Sequence, residues 1–273
     1  MFGALIKTRF LSLLAMFFNR GTKKKNGGAG KKILFSILII YILAAFGIMF
    51  GALFMSLCKP FGAVGLDWLY FAIIGILAFV LCFIGSVFIT QNQLYDAKDN
   101  DLLLSMPIPA KYILGSRTLM LLGLNYIYEI LVIAPGGIVY CMERPVTIVG
   151  TIFFIIAFLV LPIMVMAFSA FFGWIIALIS SRMRNKNLMT MIFSLALLGA
   201  YMYFYMRINT YIQQLIANGE AIGMAIKHSV FPAYYLGMAI ANANFFDLMI
   251  FVLLCIVPFG IVYWILTLSF IKI

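Results

Sequence analysis

Charge is scarce in this sequence. Only 10% of its 273 residues are charged, and acidic side chains number 8. Soluble globular domains carry about a quarter charged residues, so a water-soluble fold of this composition is excluded. There is one histidine, His228, and no apolar run holds a pair of carboxylates. Both shortages point away from a metalloenzyme or an intramembrane protease. The four cysteines (Cys58, Cys82, Cys141 and Cys255) show no CxxC spacing, which argues against a zinc or redox motif. Cys58 and Cys141 are expected near the same surface, where a bridge is allowed by position. Free, buried thiols are the expected state. A phosphate-binding loop is also missing. The run Gly27-Gly28-Ala29-Gly30-Lys31-Lys32 has Lys25 where a Walker loop needs glycine, no Ser or Thr after Lys31, and no preceding strand pattern. It reads as a flexible basic linker, and the chain is read as a non-enzyme without ATPase motifs of its own.

What is abundant is apolar surface. Hydrophobic residues make up 66% of the chain, and the mean hydropathy is +1.15. The bilayer is the natural solvent for such a sequence. The net charge of +11 comes from basic residues clustered in short segments between apolar runs. That is a topology and membrane-surface pattern rather than a nucleic-acid footprint. The fold class expected is an all-α integral membrane protein. It has about six transmembrane helices and an N-terminal amphipathic helix in the interface.

Two regions follow, residues 1–32 and 33–273. Met1 to Asn19 place Phe2, Leu5, Phe10, Leu13, Leu14 and Phe17 on one side of an interfacial helix; a disordered tail is the alternative. No small-residue cleavage site follows, so no cleaved signal peptide is expected. Arg20 to Lys32 is a basic linker suited to an anionic leaflet. The first span is about Ile33 to Cys58, with a turn at Lys59, Pro60 and Gly62. The second is about Trp68 to Thr90, and the third about Thr118 to Tyr140. The run from Val146 to Ser180 exceeds one straight crossing, so a kink at Pro162 is expected, with the excess along the surface. The fifth span is about Leu188 to Met206, and the sixth about Asp247 to Phe270. Between these last two, segment 207–246 is expected outside. It holds a surface helix up to Gly219 and a piece, Phe231 to Asn244, that dips partway into the membrane.

With the N-terminus inside, 15 basic residues fall on the inner side and 4 on the outer: Lys59, Arg144, Arg207 and Lys227. Lys98, Lys111 and Arg117 count among the inner ones. The positive-inside rule favours this orientation over its inverse.

Segment 91–117 is the most informative polar stretch. Asp96, Asp99, Asn100 and Asp101 precede Leu102, Leu103 and Leu104. Asp and Asn cap helices and favour their positive ends. Pro107 and Pro109 stop a helix, and Pro109 can open the next. The leucines either form a docking knob at the cytoplasmic surface or lie in the lipid interface.

The run Leu94-Tyr95, Lys98-Asp99, Asp101 to Pro109, Ile113-Leu114 and Ser116-Arg117 resembles bacterial ABC transporter permeases of the ABC-2 type. The basic N-terminus and Phe231-Pro232-Ala233-Tyr234 are similar too. The resemblance implies six spans, an interfacial N-terminal helix, and a coupling helix between spans two and three. By position, Asp99, Asp101, Leu102, Leu103, Leu104, Ser105 and Met106 would carry the ATPase coupling. It implies ABC ATPase subunits as partners, which would bind the ATP, and no cofactor in this chain. It also implies a second permease unit, the chain being either a half-unit that dimerises or part of a longer protein. The localisation implied is a bacterial plasma membrane, multi-pass, with membrane lipids around it and no nucleic acid.

Glu129 falls near the middle of span three. A carboxylate there costs about 2.5–3.5 kcal/mol on insertion scales, so it should face protein or water, or be neutral. Asn125, four residues earlier, and Tyr126, three earlier, share its helical face. Asn125 and Glu129 either line a translocation path or form a structural hydrogen-bonding group. Pro135-Gly136-Gly137, Pro162, and Pro258 with Gly260 mark places for kinks or for packing alone. The expected function is a permease subunit of an ATP-driven exporter. The alternatives are a proton-coupled secondary transporter using Glu129, or a non-transporting membrane assembly factor.

Overall fold

The computed structural model describes residues 29–95, 109–182 and 218–271, with scattered positions between 191 and 213. The described residues form helices and no strand: α1 (Ala29–Ala63), α2 (Asp67–Leu94), α3 (Ala110–Glu143), α4 (Ile148–Arg182), α5 (Gly219–Ser229), α6 (Phe231–Ala241) and α7 (Phe245–Ile271). The chain is an all-α membrane protein. Five of these helices, α1 to α4 and α7, are long and apolar enough to cross a bilayer. They match the first, second, third, fourth and sixth expected spans. The interfacial segment Met1 to Asn19, the expected coupling residues Asp99 to Met106, and about half of the expected fifth span lie outside the described residues; the scattered positions of that span that are described are helical.

Several boundaries differ from the sequence reading, and each difference has a local cause. The first helix does not stop at Pro60. An interior proline loses one hydrogen bond and crowds the carbonyl four residues back, a cost that membrane helices tolerate where neighbours pack around them. The helix therefore runs to Ala63 and ends where Gly65 turns left-handed at φ 73. There the Leu66 N–H donates to the Phe61 carbonyl at 2.8 Å, a Schellman closure. The same helix starts at Ala29, so Lys31 and Lys32 belong to it rather than to the linker. The long apolar run after Arg144 is one helix, α4, that continues through Pro162. It has 35 residues, against 34 in α3 and 35 in α1. At 1.5 Å per residue each is about 50 Å long, so neighbours of equal length carry one another beyond the hydrocarbon. The excess stays in the helix and does not fold onto the surface.

Caps fix the remaining starts. The Thr147 hydroxyl accepts from the Gly150 N–H at 3.2 Å at the head of α4. At the head of α7, Asn244 Oδ1 accepts from the Phe246 N–H at 3.1 Å, and its amide donates to Asp247 at 2.9 Å. These are the short polar side chains that helix N-termini favour.

α2 is central and packs on α3, α4 and α6; α1 leans on α3, and α7 lies against α4 and α6. The piece expected from Phe231 onward is a short apolar helix, α6. It holds its place by close approach. Gly237 lies directly on the Trp68 carbonyl, so a side chain there would meet backbone. The Trp68 ring packs edge-on against Tyr234 at 5.1 Å, and Lys227 of α5 lies over Tyr234 at 5.2 Å. His228 is exposed, as a solvated histidine should be.

This packing makes a paired prediction for thermal melting of the detergent-purified protein. Gly237→Val should cost about 1–3 kcal/mol or more, the scale of overpacking. Gly47→Ala in α1, where a Cβ would meet nothing within 4 Å, should stay within about 0.5 kcal/mol of wild type. Equal melting of the two variants would contradict the α2–α6 contact.

Candidate functional site

Two apolar clusters fill the bundle. The larger includes Phe54, Tyr70, Phe71, Ile74, Ala78, Val132, Leu161, Met164 and Leu236. The smaller contains Leu94, Leu114, Leu121, Leu124, Met166, Ala170 and Leu266. Most of the buried polar side chains fall between them. On α2 they are Cys82, Ser86 and Thr90, spaced four apart so that one helix face presents all three. On α3 they are Asn125 and Glu129, again four apart, and on α4 Ser169. Glu129 is 2% exposed and the other five are fully buried.

Cross-links tie this layer together. Ser86 and Ser169 share a hydrogen bond of 2.8 Å between their hydroxyls, joining α2 to α4. The Cys82 thiol donates to the Asn125 carbonyl at 3.4 Å, joining α2 to α3. The Asn125 amide donates weakly to the Met166 sulfur at 3.9 Å, joining α3 to α4. Three oxygens remain without a hydrogen-bond partner among the described residues: Glu129 Oε1, Asn125 Oδ1 and Thr90 Oγ1. Each such buried group costs about 1–3 kcal/mol. The structure therefore brings Asn125 and Glu129 together with groups that the sequence reading missed. Tyr126 does not complete their face. Its hydroxyl reaches over to the Leu159 carbonyl of α4 at 2.6 Å.

The two ends of the layer are built differently. Toward Asp67 and Glu143 the bundle is closed by rings and ion pairs. Tyr70 donates to the Gly136 carbonyl at 2.8 Å and stacks on Tyr140, which also meets Phe71 at 4.6 Å. Lys59 pairs with Glu143 at 3.4 Å, and Arg144 with Asp67 at 3.9 Å. Cys58 and Cys141 at this end are free thiols, the first buried and the second exposed.

At the other end lie the two roots of segment 96–108. The expected loop 91–117 is shorter than the sequence suggested, because Gln91 to Leu94 belong to α2 and Ala110 to Arg117 to α3. Pro109 does open α3, as its N-cap. Arg117, counted above with the loop charges, is fully buried. Its place follows from helix periodicity, with the buried Ile113 four residues earlier and Leu114 three. Tyr95 is fastened by its hydroxyl to the Ala170 carbonyl at 2.9 Å. No metal-ligating group of three His, Cys, Asp or Glu occurs among the described residues.

The missed residues left a faint signal. A small polar residue every fourth position, Cys82, Ser86 and Thr90, runs along an otherwise apolar helix. Comparison of the chain with family models, curated proteins and solved structures finds no match.

The Ser86–Ser169 bond yields a double-mutant test. Ser86→Ala and Ser169→Ala should each cost about 0.6–1.7 kcal/mol, the range for hydrogen bonds between membrane helices. The double variant should cost clearly less than the two together, because neither hydroxyl is then left alone. Strict additivity in thermal melts would show that the two groups do not interact.

Proposed function

We propose that the chain is the membrane-spanning permease subunit of an ATP-driven transporter, an exporter resembling the ABC-2 type. It would lie in a bacterial plasma membrane with its N-terminus in the cytoplasm, pair with a second permease unit, and work with separate ATPase subunits. One observation carries the reading beyond the sequence likeness. Segment 96–108, which holds the most specific part of that likeness, leaves the bundle from α2 and returns through α3. These are the two helices that supply five of the six side chains in the polar layer. Its roots are anchored, with Leu94, Ile113, Leu114, Ser116 and Arg117 all buried. A push on Asp99 to Met106 would reach Asn125 and Glu129 along stiff helices rather than being lost in a slack linker. No covalent chemistry is assigned to this chain. ATP would be bound and hydrolysed by the partners, and the membrane helices would change their packing in response.

A second reading has one observation in its favour. Glu129 is an acid buried between helices with an oxygen unpartnered among the described residues, and intramembrane acids of this kind serve proton relays. Proton-driven transport by vesicles lacking any ATPase would favour it over the first.

Two experiments test the proposal. Leu103→Asp should abolish co-purification of the ATPase while the variant still inserts and melts normally. Recovery of an intact complex would refute the docking role. For topology, the four native cysteines are replaced and single ones introduced at Lys98 or Gly219. These should react from opposite sides of intact cells, and labelling of both from outside would refute the six-span arrangement.

A further inference from the structure

The long helices carry interior prolines at Pro60, Pro135, Pro162 and Pro258. An interior proline removes one backbone hydrogen bond and crowds the carbonyl four residues back, so each is a place where a helix can bend. Three of the four are restrained or have no arm to move. Pro60 sits in the last turn of α1, which ends at Ala63. Beside Pro135, the Gly136 carbonyl is held by the Tyr70 hydroxyl of α2 at 2.8 Å. Three residues before Pro162, the Leu159 carbonyl is held by the Tyr126 hydroxyl of α3 at 2.6 Å. The part of α4 beyond Pro162 is also fastened to α2, through the Ser86–Ser169 pair, the Tyr95 hydroxyl on Ala170, and Phe79 against Phe168. Pro258 in α7 has no such brace among the described residues.

The two sides of Pro258 are held unequally. Before it, Leu248, Phe251 and Cys255 are buried in the larger cluster, and the Cys255 thiol meets the Met164 sulfur of α4 at 3.9 Å. Asn244 caps the head of this half. After it, Leu266 is the one buried residue among the described side chains, and Phe259, Val262 and Tyr263 are partly buried against the smaller cluster. The hydrogen bond described on this side, from the Thr267 hydroxyl to the Tyr263 carbonyl at 2.8 Å, stays within the helix. Gly260 adds backbone freedom two residues past the proline, and a Cβ there would meet nothing within 4 Å. Acyl chains are as apolar as Leu266, so exchanging these contacts for lipid costs little, whereas a polar tie would find no substitute there. We propose that residues 259–271 form a hinged arm that pivots at Pro258 and opens the side of the bundle onto the bilayer. The arm is about 20 Å long, and a bend of about 20° moves its end by about 7 Å. Swung out, it uncovers Leu124 and Met166, the neighbours of Asn125. A lateral opening is thereby placed beside the polar layer. The device uses neither the 96–108 segment nor a partner subunit.

The test is double electron–electron resonance on the full chain in lipid nanodiscs. The exposed Cys141 is replaced by serine and the three buried cysteines are kept. One pair of spin labels, at Leu119 of α3 and Ile265 of α7, reports the arm. A second pair, at Ile138 of α3 and Met249 of α7, reports the anchored half. All four positions are exposed. The second pair should give one narrow distance. The first should add a component roughly 5–7 Å longer. Pro258→Ala should remove that component, and Pro162→Ala should leave it. Gly260→Ala, which adds a methyl into open space, should reduce it and serves where Pro258→Ala does not fold. Equal widths for the two pairs in wild type would overturn the proposal. So would a long component that survives Pro258→Ala in a variant that melts normally, or survives Gly260→Ala where the proline variant does not fold. Loss of the component in Pro162→Ala would also overturn it, because the hinge would then lie in α4.

Discussion

A polar atom inside hydrocarbon has only the protein to satisfy it, and the cost of failing is several kcal/mol for a backbone group. That constraint explains why the described residues are helical, and why the exceptions concentrate where they do. Turns come at Gly65 and around Ala243, next to the charged and polar groups Asp67, Asn244 and Asp247. Within the bundle the same rule governs side chains. Ser86 finds Ser169, Cys82 finds the Asn125 carbonyl, and Tyr95 finds Ala170. Against that background the free oxygens of Glu129, Asn125 and Thr90 stand out. They occupy one layer and come from adjoining helices.

Much of the scaffold was legible in the sequence because hydropathy responds to the bilayer directly. Five spans were placed on their helices, although the third helix begins eight residues before the expected Thr118, and the Phe231 piece was anticipated as something shorter than a crossing. The errors arose where a residue's usual meaning is overridden by context. Pro60 looked like a stop, but the helix runs through it to Ala63, as membrane helices packed by neighbours tolerate the lost hydrogen bond and the crowded carbonyl. Arg117 looked like a loop charge, but α3 begins at Ala110, and helix periodicity carries it inward. Length alone suggested that the run after Val146 must bend onto the surface, although two other helices of equal length were present to support it.

The site was half legible. Glu129 is conspicuous because a charge in mid-span is expensive, and Asn125 follows from it by helical spacing. Cys82, Ser86, Thr90 and Ser169 were missed because small hydroxyls and thiols hardly lower the hydropathy of a helix. Their meaning is pairwise. Ser86 and Ser169 are 83 positions apart, and only tertiary packing shows that they face each other. Asp99 to Met106 lie outside the described residues, so the coupling role proposed for them rests on the likeness.

The two ends of the bundle are held by different chemistry. At the Asp67 end, α1, α2 and α3 are cross-tied by two ion pairs, the Tyr70 hydroxyl bond and a stack of rings. Separating helices there means breaking all of these together. At the level of the layer, α2 and α4 are joined by the Ser86–Ser169 hydroxyl pair and by edge-on contacts of Phe79 with Phe168 and Phe83 with Phe172, each at 5.4 Å, and beyond it by the Tyr95 hydroxyl on the Ala170 carbonyl; α3 and α4 meet through a weak amide–sulfur contact and the Tyr126 hydroxyl. The difference between the ends is therefore one of chemistry: charge pairs and a ring stack at the Asp67 end, and hydroxyl, thiol and amide contacts flanked by rings at the layer.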